Sequence, residues 1–131
     1  MRGLSGKVAI VPGGATKIGQ AVVAAFREAG VRVMVADIAP APQSEGVAYQ
    51  PCDLRDDAQI AALVAATKEK FGRIDFLVNV ACSYLDNGAA TTRADWLTAL
   101  DINIVGSVML MQAAQAELAA TRGAIVNFGS I

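Results

Sequence analysis

The 131 residues carry a formal net charge of −1 and 54% of them are apolar, a composition that predicts one folded domain and excludes a disordered segment. The 11 basic residues are scattered along the chain, so no nucleic-acid partner is expected. No uninterrupted apolar run reaches the roughly 18 residues of a membrane span and the N-terminus lacks a signal-like apolar segment, so we expect a cytoplasmic protein without a membrane partner.

The first predicted elements are a strand, a glycine-rich turn and a helix. Val8–Val11 is the apolar strand, Pro12–Gly19 is the turn, and Gln20–Ala29 has a helical composition. Unpaired N–H groups at the start of such a helix, together with the positive end of its dipole, attract anions. Gly13 can take backbone angles that a side chain forbids, and Gly19 lets helix and strand pack closely. The turn therefore predicts a site for a dinucleotide pyrophosphate.

A second predicted strand, Val31–Ala36, ends at Asp37. A carboxylate at the tip of the second strand is positioned to accept hydrogen bonds from an adenosine ribose. Ile38 and two further uncharged residues follow, so no arginine offsets the repulsion between Asp37 and the 2′-phosphate of NADP. The pattern favours NAD as the cofactor. An ordinary turn at Gly13 with a solvated Asp37 is the alternative interpretation.

Strands and helices continue to alternate along the rest of the chain. The predicted elements are a third strand, Gly46–Gln50, a helix capped by Asp56 or Asp57 that ends at Gly72, and a fourth strand, Ile74–Val78. A helical region opened by Thr91 or Thr92 follows, then a long apolar helix over Ile104–Ala120 that Gly123 ends, and a fifth strand, Ala124–Phe128. Right-handed crossovers then predict a Rossmann-like, doubly wound α/β fold of three layers, with a parallel sheet in the order 3-2-1-4-5.

The sequence contains no histidine and two cysteines, Cys52 and Cys82. Their spacing is not that of metal ligands, so no metal site is expected and both thiols are expected to be reduced. The lack of histidine also excludes a Ser-His-Asp or Cys-His mechanism. Any acid–base chemistry therefore needs another residue type.

Several segments resemble the short-chain dehydrogenase/reductase family. Gly13, Ile18 and Gly19 match its Thr-Gly-x-x-x-Gly-Ile-Gly motif, and Asp53-Leu54 matches the pair that contacts the adenine ring. The other matches are Asn79-Val80-Ala81-Cys82 for the Asn-Asn-Ala-Gly segment, Asp101-Ile102-Asn103 for the helix with the catalytic asparagine, and Ile125 to Ser130 for the strand ending in the catalytic serine. The resemblance implies an NAD-dependent oxidoreductase that transfers a hydride between the nicotinamide and a carbonyl or secondary alcohol substrate.

The resemblance also implies roles for individual residues. Ser130 would hold the substrate oxygen, and Asn103 would break its helix and keep a proton-relaying water on its main-chain carbonyl; a solvated serine and a plain helix-kink asparagine are the alternatives. Lys17 would reach a phosphate or lie along the helix surface. The full set with implied cofactor contacts is Gly13, Thr16, Lys17, Ile18, Gly19, Asp37, Ile38, Asp53, Leu54, Asn79, Val80 and Ala81.

The chain departs from the family pattern at four points. Pro12 replaces the motif threonine, Lys17 replaces its middle glycine, and Val80 and Cys82 replace Asn and Gly in the Asn-Asn-Ala-Gly segment. The family's Tyr-x-x-x-Lys base would lie beyond Ile131. Residues 1–131 are therefore expected to be a dinucleotide-binding domain truncated after the fifth strand, with activity that needs a C-terminal part. The alternative is a non-catalytic dinucleotide-binding module or an inactive fragment.

The predicted helix over Ile104–Ala120 carries more apolar surface than one sheet face can cover. The missing C-terminal half or the same helix of a second subunit would bury the remainder. We expect a homo-oligomer, a dimer or tetramer, built on this helix, with Met109 as an outward-facing position.

Overall fold

The structure, a computed structural model, describes residues 3–85 and 87–129. Its strands are β1 (Val8–Pro12), β2 (Arg32–Asp37), β3 (Val47–Pro51), β4 (Phe76–Asn79) and β5 (Ala124–Asn127). Its α-helices are α1 (Lys17–Glu28), α2 (Asp57–Phe71), α3 (Arg93–Leu100) and α4 (Ser107–Thr121), with a short 3-10 turn at Gly88–Ala90 and a π-helical segment at Asp101–Gly106 that joins α3 to α4.

The five strands form one sheet in the order β3-β2-β1-β4-β5, and every pairing is parallel. The predicted sheet order and doubly wound architecture are therefore confirmed. The chain reverses its direction of sheet growth between β1 and β4, which are neighbours. Ligands of doubly wound folds bind outside the carboxyl ends of the strands at such a reversal.

The side chains of β1 alternate between two cores. Ile10 points to the face covered by α2 and α4, where it shares a buried cluster with Leu63 and Leu110. Ala9 and Val11 point to the opposite face, which α1 covers. Because both faces of the central strands are covered, these strands are apolar at every position, as is typical of parallel sheets.

The predicted ends of helix α2 are confirmed. The Asp56 carboxylate accepts hydrogen bonds from the N–H groups of Ala58 (2.9 Å) and Gln59 (3.2 Å), which satisfies donors that the first helical turn leaves free. At the other end Gly72 adopts a left-handed conformation with φ 81° and donates its N–H to the Lys68 carbonyl.

The helical stretch from α3 through α4 begins as predicted but ends differently. Thr92 caps α3 by accepting the Asp95 N–H at 3.1 Å. At the C-terminal end α4 runs to Thr121, past the predicted Ala120, and the left-handed residue is Arg122 (φ 53°) instead of a glycine. Gly123 still takes part in ending the helix, because its N–H donates to the Leu118 carbonyl at 2.8 Å. The glycine is required at 123 because a Cβ atom there would overlap the Asp75 carbonyl oxygen.

Only one stripe of α4 is buried, formed by Leu110, Ala114 and Leu118. Met109 packs against the same core, so the expectation that it faces outward was wrong. An exposed apolar face remains along the helical stretch and consists of Trp96, Leu97, Leu100, Ile104, Val105 and Val108. Every residue of β5, which forms one edge of the sheet, is also exposed.

One segment of the described residues, Arg93–Thr121, is long and apolar enough by length and composition to cross a membrane. The sequence prediction was based on uninterrupted apolar runs, whereas this stretch reaches a mean hydropathy of 1.4 over 18 residues although polar residues interrupt it. In this fold the α4 part of the stretch lies against β4 and α2.

Candidate functional site

A cavity of about 350 Å³ opens at the carboxyl ends of β1, β2, β3 and β4. The residues that line it and were predicted to contact a cofactor are Gly13, Thr16, Asp37, Ile38, Asp53, Leu54 and Ala81. The other residues in its wall, which are not among the predicted cofactor contacts, are Pro12, Ala36, Ala39, Cys52, Arg55, Cys82, Ser83 and Ile102. The predicted residues Lys17, Ile18, Gly19, Asn79 and Val80 do not line this cavity.

The turn after β1 is packed so closely that glycine is required at two positions. Gly13 has φ 78°, and a Cβ atom on it would lie 2.5 Å from the main-chain nitrogen of Ala81. A Cβ atom on Gly19 would overlap the carbonyl oxygen of Gly13. These contacts bring the start of α1 and the residues after β4 up to the turn, which keeps the cavity floor made of backbone.

Thr16 braces the turn that lacks the family's motif threonine. Its hydroxyl donates to the Gly13 carbonyl at 2.7 Å and accepts the Gly19 N–H at 3.1 Å, so it also caps α1. The carbonyl of Pro12 accepts the Val80 N–H at 3.1 Å, which joins β1 to the segment after β4. With proline at position 12, the turn therefore still has hydrogen bonds to α1, through Thr16, and to the segment after β4, through the Pro12 carbonyl.

Lys17 is the first residue of α1 and is exposed. Among the described residues Arg122 is the only non-glycine with a positive φ, so the side chain at position 17 replaces the motif glycine without backbone strain. Within residues 3–85 and 87–129 the N–H groups of Lys17 and Ile18 have no protein acceptor. Two free N–H groups, the dipole of α1 and a lysine thus coincide beside the cavity, an arrangement that attracts anions.

The Asp37 carboxylate is held at the cavity wall by two backbone N–H groups. One oxygen accepts the Ala15 N–H at 3.1 Å, and the other accepts the Ala39 N–H at 3.0 Å. The Tyr49 hydroxyl donates to the main-chain oxygen of Asp37 at 3.2 Å. The position of the carboxylate is therefore fixed relative to the glycine turn.

Asp53 carries an ion pair that the sequence analysis missed. The Arg55 guanidinium donates to both carboxylate oxygens of Asp53 over distances of 2.6 to 3.1 Å. Hydrogen bonding from Arg55 lowers the pKa of Asp53 against the opposing effect of burial, and the Arg55 charge adds to the lowering. The spacing Asp-x-Arg after β3 was the only available signal for this pair.

The two cysteines differ in exposure although both line the cavity. Cys52 is buried, and this burial, with the negative charges of Asp53 and Asp56, raises its pKa to about 11. Its thiol therefore stays protonated near neutral pH and is unreactive. Cys82, at the glycine position of the family segment, is exposed.

Asn103 lies within the π-helical segment, where the helix was expected to break. Its side-chain oxygen accepts the Ser83 N–H at 2.6 Å, and its side-chain nitrogen donates to the Ser83 carbonyl at 3.0 Å. Asn103 thus holds the loop after β4, and Ser83 of that loop lines the cavity. The neighbouring Ile102 contributes to the cavity wall.

Other predicted residues lie away from the cavity or outside the described ranges. Asn79 is buried and donates its side-chain N–H to Asn127 at 2.7 Å, while its own side-chain oxygen has no partner among the described residues. The Val80 side chain is buried in the core beneath α1, so only its main chain could contact a ligand. Ser130, the predicted catalytic serine, lies outside the described residues.

Comparison with known proteins relates the whole chain to one group of oxidoreductases. A family profile described as enoyl-(acyl carrier protein) reductase matches residues 13–131. D-threitol dehydrogenase of Mycolicibacterium smegmatis is 36% identical over 97% of this chain and 54% of its own length. L-fucose dehydrogenase of Oryctolagus cuniculus is 30% identical over 97% of this chain and 48% of its own length.

A solved structure agrees with this relationship. An apo SCOR enzyme from Clostridium thermocellum superposes with a TM-score of 0.87 at 28% identity, over 95% of this chain and 54% of that chain. The chain thus spans about half the length of the curated relatives and the solved structure that it matches.

Proposed function

Because the chain belongs to the short-chain dehydrogenase/reductase family, we propose that it supplies the cofactor-binding part of an oxidoreductase that uses NAD in preference to NADP. Bound NAD would supply the hydride-accepting nicotinamide, and the proposed substrate is a small molecule with a secondary alcohol or carbonyl group. Relatives named D-threitol dehydrogenase and L-fucose dehydrogenase support this substrate class.

The residues around the glycine turn fit a dinucleotide. Gly13 and Gly19 let the turn pack closely against the segment after β4 and the start of α1, and the free N–H groups of Lys17 and Ile18 can donate to a pyrophosphate. The Lys17 ammonium can add a further charge interaction, because none of the ion pairs in the described part of the chain involves it. We therefore propose that these residues hold the pyrophosphate.

The fixed carboxylate of Asp37 is the observation that carries the preference for NAD. Its two backbone hydrogen bonds hold it at the cavity wall, where a ribose hydroxyl can donate to it. A phosphate about 4 Å away would instead be repelled by about 4 kcal/mol per charge pair at an effective dielectric near 20, and by less where solvent screens the pair.

Arg55 does not offset this repulsion. It is the basic residue in the cavity wall, but its guanidinium is engaged by both oxygens of Asp53. Its charge is therefore already balanced by the Asp53 carboxylate, and a 2′-phosphate would add a further negative charge beside this pair. The Asp53–Arg55 pair therefore supports the same preference as Asp37.

In the proposed reaction two further residues act on the substrate side. Asn103 fixes the loop after β4 through its paired hydrogen bonds to Ser83. Ser130, by the family resemblance, would donate a hydrogen bond from its hydroxyl to the substrate oxygen. If Asn103 and Ser130 have these roles, replacing either residue by alanine in the full-length protein should lower kcat more than it lowers the affinity for NAD.

Calorimetric titration of the protein with NAD and with NADP tests the proposal. We expect NAD to bind at least about ten-fold more tightly than NADP, as a repulsion of 1.4 kcal/mol or more requires. Equal affinities or tighter NADP binding would contradict the preference, and failure to bind either would contradict the function. NAD binding in a full-length protein that never turns over alcohols or carbonyls would instead favour a non-catalytic module.

We also propose that the protein is a homo-oligomer. The exposed apolar face along α3, the π-helical segment and α4 contains six large apolar side chains, among them Trp96 and Leu97. Contiguous apolar surface of this kind is rare on soluble monomers and marks an interaction surface. A second subunit that contributes the same face would bury it symmetrically.

A further inference from the structure

The π-helical segment makes a close contact with the main chain of the cavity wall. Its last residue, Gly106, is buried, and a Cβ atom there would lie 2.5 Å from the carbonyl oxygen of Leu54 and 2.7 Å from its Cβ atom. Real Cβ atoms do not approach other atoms this closely. The helix can therefore come this near to Leu54 only because position 106 has no side chain.

Leu54 belongs to the end of the cavity that contains Asp37. It follows β3, whose last residue Pro51 pairs with Asp37 of β2, and the Cys52 N–H donates to the Asp37 carbonyl at 3.1 Å. Leu54 and Asp37 both line the cavity, and Leu54 is buried from the other side. If Asp37 binds the adenosine ribose, Leu54 forms the wall beside the adenosine.

We propose that Gly106 is a positioning residue for the cofactor: by lacking a Cβ atom, it lets Leu54 form the wall of the adenosine end of the cavity. This inference rests on the proposed binding of NAD. The same π-helical segment carries Ile102, which lines the cavity, and Asn103, which holds Ser83. A change in the distance between this segment and Leu54 therefore alters the cavity directly.

Alanine at position 106 cannot be accommodated by a side-chain rotation. The nearest atom is a main-chain oxygen, so either the backbone at Leu54 or the helix has to move. Movement of the backbone at Leu54 also carries the neighbouring Asp53, which lines the cavity. The expected result is weaker binding of the adenosine part of the cofactor.

Titration with AMP tests this at the adenosine end alone. Wild-type protein, Gly106→Ala and the control Gly123→Ala are compared by calorimetry well below their unfolding temperatures. Gly123 is the matched control, because a Cβ atom added at position 123 would also overlap a backbone carbonyl. That carbonyl belongs to Asp75, at the opposite edge of the sheet. We expect Gly106→Ala to weaken AMP binding about ten-fold or more and Gly123→Ala to leave it within about two-fold.

A double-mutant cycle separates positioning from general destabilisation. If Gly106 acts through Leu54, the effects of Gly106→Ala and Leu54→Ala on AMP affinity are not additive, whereas a purely structural role predicts additive effects. Leu54→Ala introduces no clash, so it tests the wall even if Gly106→Ala does not fold. The inference would be overturned if Leu54→Ala left AMP affinity unchanged. It would also be overturned if Gly106→Ala and Gly123→Ala bound AMP with equal affinity. Wild-type protein that binds neither AMP nor NAD would instead refute the proposed function.

Discussion

The Asp37 carboxylate and the Ala15 main-chain N–H form a hydrogen bond of 3.1 Å between the end of β2 and the glycine turn. The residue proposed to select the cofactor therefore also braces the turn proposed to hold the pyrophosphate. Asparagine removes the charge of Asp37 and keeps one acceptor oxygen, enough for one of the two backbone N–H groups, those of Ala15 and Ala39, that the carboxylate accepts.

Asp37→Asn should narrow the gap between the two cofactors. The substitution removes the charge that repels a 2′-phosphate but leaves an acceptor for the Ala15 N–H, so we expect NADP to gain about ten-fold in affinity relative to NAD. Calorimetry with both cofactors measures this ratio. Asp37→Ala, which removes the acceptor as well, should also weaken NAD. A ratio unchanged in both variants would show that Asp37 does not select the cofactor.

Lys17→Ala should weaken NAD binding in a salt-dependent way. An exposed ammonium at the start of α1 interacts with a phosphate through a screened charge, so we expect a loss of roughly three- to ten-fold at low ionic strength that shrinks as salt is added. Lys70→Ala, in the last turn of α2, serves as the control and should leave NAD affinity unchanged. Equal affinities for wild type and Lys17→Ala at low salt would favour a lysine that only covers the helix surface.

Asp75→Asn should destabilise the fold without touching the cavity. The buried Asp75 carboxylate accepts the Val8 N–H at 2.9 Å and two hydrogen bonds from Arg73 at 2.6 and 2.8 Å. Hydrogen bonds to charged groups contribute about 1.5–3 kcal/mol, so we expect the free energy of unfolding in urea to fall by about that much. A fall of less than about 0.5 kcal/mol would contradict this assignment.

The same substitution should change how stability depends on pH. Burial raises the pKa of Asp75, but the hydrogen bonds from Arg73 and Val8 and the charges of Arg73 and Lys7 outweigh it, so the net shift is downward from 3.8. A carboxyl with a lowered folded-state pKa contributes stability above its unfolded pKa, and this contribution is lost as pH falls through the folded value. The difference in Tm between wild type and Asp75→Asn should therefore be full near neutral pH and shrink below about pH 4.

Val105→Glu should dissociate the proposed oligomer while leaving the fold intact. Val105 is 48% exposed on the apolar face, so a charge there opposes burial against a second subunit but not folding of the monomer. Met109→Glu is the informative comparison, since Met109 packs against the core and its substitution should lower Tm. Light scattering that shows a monomer for the unmutated full-length protein would exclude the assembly.

Local signals in the sequence predicted most of the fold. Asp56, Gly72 and Thr92 act where their capping chemistry predicts, because a cap depends on residues within one turn of it. The sheet order followed from the alternation of elements and the handedness of crossovers.

Features that depend on distant residues could not be predicted in the same way. The apolar residues of α4 are so evenly distributed that the pattern does not reveal which face meets the sheet, and Met109 was assigned to the wrong one. Gly123 was predicted to end α4, but the contact that requires glycine at this position is with Asp75, which is far away in sequence. The contact of Gly106 with Leu54 and the position of Arg55 in the cavity wall likewise depend on how distant parts of the chain pack together.

The exposed edge strand β5 has a practical consequence for handling these residues. Ile125 and Val126 are 41% and 51% exposed on opposite faces of a strand that, within the described residues, has a neighbour on one side only. Such a strand offers unpaired backbone groups and apolar side chains to other chains, and natural proteins usually protect edges of this kind with charge or a covering element. In a preparation limited to these residues, we expect chains to aggregate by pairing of their β5 edges. Aggregation should therefore increase with protein concentration while the chains are still folded.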